Sequence, residues 1–213
     1  MKSQIKAILF DYDDTLVMTR ETIWGVLKQV GRKFYNMDLT DEAITKVYGK
    51  PYPEMIVELY EHRDSYEIIH KNFMTIRSKT PIPAYDDSLK TIRVLAKIMP
   101  VGIITSAIRE LAMLDIVRLN FPVNDLLGIQ TADDTLVHKP NPKVLEPTLN
   151  KLKGKGIKAE ETLYVGDAMN DYLAATGAGL QFVGIVRNEI NPFAQHQVTV
   201  IKSLLELEKL IRI

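Results

Sequence analysis

Four short groups of residues in this chain could do chemistry together. The densest is Asp11-Tyr12-Asp13-Asp14-Thr15, which follows directly on the apolar run Ile5 to Phe10. Three carboxylates in four positions repel one another when close in space, so something positive should compensate them, and a divalent cation is the simplest candidate. Asp11 and Asp13 are two apart: in an extended chain they share a face, and in a tight loop they can converge on one ion. An oxygen-only ligand set favours Mg2+ over zinc. The second group, Gly166-Asp167-Ala168-Met169-Asn170-Asp171, again follows an apolar run, Thr162 to Val165. Asp171 lies one helical turn beyond Asp167, so both could face one crevice. The third group is Thr105-Ser106 at the end of Val101 to Ile104, where hydroxyls and free amide N–H groups make a natural phosphate cradle. The fourth is Lys139 within His138-Lys139-Pro140-Asn141-Pro142; the prolines stiffen the backbone, so the ammonium is aimed, able to balance the carboxylates and to contact a phosphoryl oxygen.

These groups need a scaffold that brings them together. Four apolar runs, Ile5–Phe10, Val101–Thr105, Thr162–Val165 and Phe182–Val186, each end in polar turn residues, as buried parallel strands do. Helical patterns lie between them. One runs over Ser88–Ile98 with Asp86 as its cap, one over Arg109–Leu119 with Ser106 as its cap, and one over Lys143–Leu152 with Pro142 in its first turn. Tyr172–Thr176 is a short fourth, and Ser203 caps a last helix. This alternation predicts an α/β fold, a doubly wound parallel sheet whose ligands bind at the C-terminal ends of the strands. From about Val17 to Ala84 the pattern is helical only: Glu21–Tyr35, Asp41–Tyr48 capped by Thr40 or Asp41, Pro53–Glu61 and Ser65–Ser78. The expected organisation is an α/β core of residues 1–16 and 85–213 and an inserted all-helical domain of residues 17–84.

Composition narrows the function classes. Lys+Arg and Asp+Glu both number 27 in 213 residues, a formal net charge of zero, so the basic excess that duplex nucleic acid selects is missing. With no cysteine, disulfides, zinc-thiolate sites and thiol nucleophiles are excluded. The apolar runs fall far short of the ~20 residues of a membrane span. No extended apolar stretch follows Met1 to Lys6, so a signal peptide is not supported and a cytoplasmic, soluble protein is expected. Neither a P-loop nor a complete Gly-x-Gly-x-x-Gly occurs. Each acidic residue has an ordinary reading, Asp13 or Asp14 as a turn former and Asp167 as a helix cap; what weighs against it is the four groups occurring together and in order.

Those four groups resemble, in order and spacing, the four motifs of the haloacid dehalogenase superfamily, a resemblance that spans Ile5 to about Val186. The helical insert resembles the small cap of the phosphoglycolate-phosphatase-like branch. The family usually has Gly where this chain has Asp14; Asp tolerates unusual backbone angles better than most residues, so the loop is expected to survive. The resemblance implies that Asp11 is the nucleophile and forms an aspartyl-phosphate, and that Asp13 acts as general acid and then general base. It implies Mg2+ on Asp11, the backbone carbonyl of Asp13, and Asp167. Thr105 and the amide of Ser106 would bind phosphate, Lys139 would hold Asp11 and the phosphoryl group together, and Asp171 would support Lys139 or a water on the ion. Lys50, in the interhelical Gly49-Lys50-Pro51, is a candidate for substrate specificity or simply part of a turn.

The second acid, Asp13, points within the superfamily to phosphate-ester or phosphoanhydride chemistry. The expected activity is a Mg2+-dependent phosphatase on a small phosphorylated metabolite: phosphoglycolate, pyrophosphate, a nucleotide or a sugar phosphate. Such a cap would close over the site and exclude water until substrate fills it. The enzyme would be a monomer or homodimer with no nucleic-acid or membrane partner. The alternative is a phosphotransferase or sugar-phosphate mutase of the same fold; the early-cap histidine of the mutase pattern is missing from Arg20-Glu21-Thr22-Ile23-Trp24. A receiver-type signalling domain shares the clustered acids, but places its acidic pair before its acceptor Asp and has no helical insert of this size.

Overall fold

The computed structural model describes residues 4–188 and 190–211. They divide into two compact units, one running to Val17 and resuming at Ala84, the other spanning Met18–Pro83.

The first unit is built on a sheet of six parallel strands: β1 (Ala7–Phe10), β2 (Val101–Ile104), β3 (Gly128–Gln130), β4 (Thr162–Gly166), β5 (Gln181–Ile185) and β6 (Thr199–Ile201), in the order β3-β2-β1-β4-β5-β6. Every residue of β1, β2 and β4 is buried. Side chains alternate across the sheet, so Ala7 and Leu9 join Ile104, Tyr164, Leu145, Leu152, Ala174 and Leu180 in one apolar cluster. Ile8 and Phe10, equally buried, face the opposite side. With both faces covered, the strands read as continuous apolar runs, and each fully buried large side chain stabilises the fold by roughly 1.5–3 kcal/mol. The outermost strands β3 and β6 escape that reading. They are three residues long and partly exposed, and Gly128-Ile129-Gln130 and Thr199-Val200-Ile201 carry no four-residue apolar run.

The second unit is four helices, α1 (Thr19–Val30), α2 (Asp41–Val47), α3 (Tyr52–Leu59) and α4 (Tyr66–Arg77), and its described residues include no strand. The α1 stripe Ile23, Val26, Leu27 and Val30 is buried at helical spacing. Beyond Val30 the helix widens into a π-helical turn, Gly31–Tyr35, and stops at Asn36 in the left-handed conformation (φ 51°). Thr40 caps α2, its hydroxyl accepting from the Ala43 amide at 3.2 Å. The buried Tyr60 hydroxyl donates to the Leu27 carbonyl at 2.9 Å, tying α1 to the segment after α3.

Core helices α5 (Ser88–Leu95), α6 (Arg109–Arg118), α7 (Glu146–Lys153), α8 (Met169–Gly177) and α9 (Leu207–Ile211) complete the first unit. Two expected caps are not caps. Asp87, not Asp86, immediately precedes α5, and its carboxylate serves Arg187, Ser203 and Leu204 instead of the helix. Ser106 lies too early: α6 begins at Arg109, after Ile108 in extended conformation. A 3-10 turn, Pro142–Leu145, precedes α7, with the Asn141 side chain accepting from the Lys143 amide at 3.0 Å. Ser203 does cap the final segment, accepting from the Leu205 amide at 3.3 Å. No helix among the described residues is long and apolar enough to cross a membrane.

In β5, a Cβ on Gly184 would lie 2.5 Å from the ring of buried Phe193, which itself packs edge-on against Phe182. Overpacking of this kind costs about 1–3 kcal/mol. Gly184→Ala should therefore lower the melting temperature by several degrees in a thermal scan, and Gly184→Ala with Phe193→Leu should recover part of the loss.

Candidate active site

The sheet order reverses between β1 and β4, and a crevice at the C-terminal ends of these neighbouring strands is where doubly wound folds bind ligands. Phe10 is in register with Val165, and the Asp11 amide donates to the Val165 carbonyl at 2.8 Å. Asp11 and Asp167 therefore leave adjacent parallel strands almost level with each other. Asp171 is reached two residues into α8 and is buried. Carboxylate oxygens of Asp11, Asp167 and Asp171 all lie within 4.8 Å of one another. An all-oxygen cluster of this kind suits a hard divalent cation.

Lys139 enters this cluster from the loop before α7. Its Nζ donates to Asp11 Oδ1 at 2.5 Å and to Asp171 Oδ1 at 2.7 Å, with the Tyr164 hydroxyl at 3.2 Å and the Ile104 carbonyl at 3.4 Å. Its side chain is 6% exposed. The segment that follows is pinned to the sheet by buried Gln130, which donates to the Val144 carbonyl and accepts from Thr148 Oγ1 at 2.7 Å. Asp171 has both oxygens engaged: Oδ1 accepts from Lys139 and Tyr164, and Oδ2 from the Ala168 amide at 3.1 Å.

The electrostatics follow from an excess of negative charge. Burial pushes the Asp11 carboxyl well above its ordinary range, and the charges of Asp171, Asp167 and Asp13 add to this while Lys139 opposes it. Burial alone would lower the Lys139 ammonium, but Asp11 and Asp171 outweigh it and hold it well above its usual range. Around Asp11 the carboxylates of Asp13, Asp167 and Asp171 outnumber the one ammonium, Lys139. A second positive charge would relieve the imbalance.

Asp13 and Thr105 meet on the other flank. The Thr105 hydroxyl donates to Asp13 Oδ2 at 2.8 Å and accepts from the Ala107 amide at 3.0 Å. Ser106 is exposed beside them. Asp14 adopts φ 54°, the left-handed conformation that a Gly takes without strain and an Asp accepts. The Asp14 amide donates to the Val17 carbonyl at 2.9 Å, closing a tight turn after the acidic group. Lys50 belongs to the helical unit, where its ammonium pairs with Glu58 at 2.5 Å and Glu54 at 3.4 Å.

Two contributors carry weaker sequence signals. Tyr164 reads as part of an apolar strand, yet its buried hydroxyl touches both Lys139 and Asp171; the one clue is a polar-tipped aromatic among aliphatics two residues before Gly166. Thr15 Oγ1 donates to Asp167 Oδ1 at 3.4 Å across 152 positions, which no local pattern reveals.

Residues 8–185 match the family described as haloacid dehalogenase-like hydrolase, and the chain belongs to it. A Caldanaerobacter subterraneus subsp. tengcongensis protein provisionally named pyrophosphatase PpaX is 31% identical over 193 residues, covering 85% of this chain and 82% of its own. The pyrophosphatase PpaX of Anoxybacillus flavithermus is 28% identical over 190 residues, covering 85% and 83%. Among solved structures, a haloacid dehalogenase-like hydrolase from Bacteroides fragilis, also provisionally named, superposes with a TM-score of 0.77 at 25% identity, covering 96% of this chain and 100% of its own.

A Cβ on Gly166 would fall 2.6 Å from the Asp171 carboxyl, so this close approach admits only glycine. Gly166→Ala should displace Asp171 and loosen Lys139. Because misplacement by about 1 Å can cost ~10²-fold, turnover should fall by that order in an enzyme whose circular dichroism stays folded.

Proposed function

We propose that this chain is a Mg2+-dependent phosphatase that transfers the phosphoryl group of a small metabolite to Asp11 and then to water. The observation that carries the reading is Lys139 gripping both Asp11 and Asp171 while Asp167 stands within the same 4.8 Å cluster. Donor chemistry fits the cation: three carboxylates, no nitrogen or sulfur, and a negative excess to neutralise. Asp11 and Asp167, with the Asp13 carbonyl, would hold it. Asp171 is the less suitable ligand, since its two oxygens already accept from Lys139, Tyr164 and the Ala168 amide. When bound, Mg2+ would neutralise phosphoryl charge and orient the substrate for in-line attack.

This chain's own residues do the rest. A carboxylate oxygen of Asp11 bonds to phosphorus as the bond to the leaving oxygen breaks, and Asp13 gives its proton to that oxygen. The product is an aspartyl-phosphate. Asp13, now a base, takes a proton from water; the water oxygen bonds to phosphorus, the Asp11–phosphorus bond breaks, and orthophosphate leaves. Lys139 keeps Asp11 oriented and offers its charge to the phosphoryl oxygens. Thr105 exchanges its hydroxyl between Asp13 and phosphate, and the Ser106 amide supplies a second donor.

Similarity over 85% of this chain to proteins named pyrophosphatase PpaX makes inorganic pyrophosphate the first substrate to try, ahead of phosphoglycolate, nucleotides and sugar phosphates. A metabolite screen for phosphate release, with hexose-phosphate isomer formation followed in parallel, should show Mg2+-dependent hydrolysis that a chelator abolishes. Asp11→Asn should lower it by at least ~10³-fold while the fold persists. Turnover by Asp11→Asn at the wild-type rate, or full activity in chelator, would refute the assignment.

A further inference from the structure

One buried charge pair in the core unit takes no part in the chemistry above. Arg187, in the loop after β5, meets Asp87 through two parallel bonds, Nη1 to Oδ2 and Nη2 to Oδ1, each 2.9 Å. Their side chains are 8% and 10% exposed. Asp87 also accepts from Ser203 Oγ at 2.7 Å and from the Leu204 amide at 2.8 Å. Burial would raise the Asp87 carboxyl, but these donors outweigh it and hold the group below the usual carboxylate range. The guanidinium lies over the Tyr85 ring, 4.0 Å from its centre. Arg187 also directs Nε and Nη2 to one acceptor, the Thr15 carbonyl, at 3.2 and 2.8 Å.

That acceptor sits in the turn that follows Asp11 and Asp13. Leu16 and Val17 donate their amides to the Tyr12 carbonyl at 2.8 and 3.2 Å, and the Thr15 hydroxyl points at Asp167. A buried ion pair is a weak stability device, since apolar residues often replace one without loss. A rigid fork that grips a carboxylate on one side and a single carbonyl on the other has a directional use that apolar residues cannot supply.

We propose that Arg187, oriented by Asp87, is a positioning residue: by holding the Thr15 carbonyl it sets the turn that places Asp13 and aims the Thr15 hydroxyl at Asp167. Its catalytic consequence rests on the phosphatase reading; the effect on the turn does not.

The test uses the full chain with Arg187→Lys, which keeps the positive charge beside Asp87 but loses the fork. Site-resolved amide hydrogen exchange should show Leu16 and Val17 exchanging roughly tenfold faster or more while Leu9 and Val165 keep their protection; kcat should fall by about the same factor with KM little changed. Leu207→Ala, buried in α9, is the control for stability alone and should raise exchange without singling out the turn. If Arg187→Lys does not fold, Asp87→Asn is read for the same pattern. Wild-type protection of Leu16 and Val17, or exchange faster everywhere in proportion to lost stability, would overturn the proposal. A wild type inactive on every phosphate would sink the phosphatase reading instead, with the exchange data still deciding the role of Arg187.

Discussion

Two buried carboxylates share one ammonium in this protein, and the candidate site depends on that contact. Lys139 reaches Asp11 at 2.5 Å and Asp171 at 2.7 Å with all three side chains nearly sealed from water. Such charges are costly to bury, and removing one partner of a buried pair ordinarily costs about 3–5 kcal/mol, because it leaves a charge unanswered. Lys139 answers only part of it. Asp167 and Asp13 leave the crevice negative, an arrangement that suits a hard divalent cation. In the proposed mechanism stability and reactivity share a cause: Asp11, the proposed nucleophile, is held in place by the group that would later meet the substrate's charge.

The fold delivers this contact by strand order. β1 and β4 are far apart in sequence yet adjacent and in register, so the residues just past Phe10 and Gly166 must leave the sheet side by side. β2 places Thr105 next to Asp13 in the same way, and Gln130 at the end of β3 anchors the segment after Lys139. Glycine at 166 lets Asp171 approach the strand, and Tyr164 fills the space beneath it with a hydroxyl that both Lys139 and Asp171 use. Asp14 takes up φ 54° and its amide closes the turn on the Val17 carbonyl.

Much of this was legible in the amino-acid order because burial on both faces leaves an unmistakable trace. Ala7–Phe10, Val101–Ile104 and Leu163–Val165 are unbroken apolar runs, and the acids that follow two of them stand out. The edge strands β3 and β6 left no such trace, being short and half exposed. Caps were harder to read, since a cap depends on where a side chain's strongest partner lies: Asp87 sits at the start of α5 but is claimed by Arg187 from the end of β5. Tyr164, Thr15 and Arg187 were hidden for a related reason. Their roles are made by partners as distant as 172 positions, and no local period encodes them. Helical periodicity in the insert identified its four helices, with ends displaced by a few residues where α1 widens after Val30.

The proposed reaction turns on one step, the bonding of Asp11 itself to phosphorus. Acid-quenching the enzyme during turnover of a phosphorylated substrate, followed by peptide mass spectrometry, tests it directly. A phosphoryl adduct is expected on the peptide that carries Asp11, absent from Asp11→Asn and lost on mild base treatment. Rapid turnover with that peptide unmodified at every quench time, or with the adduct on another residue, would contradict it.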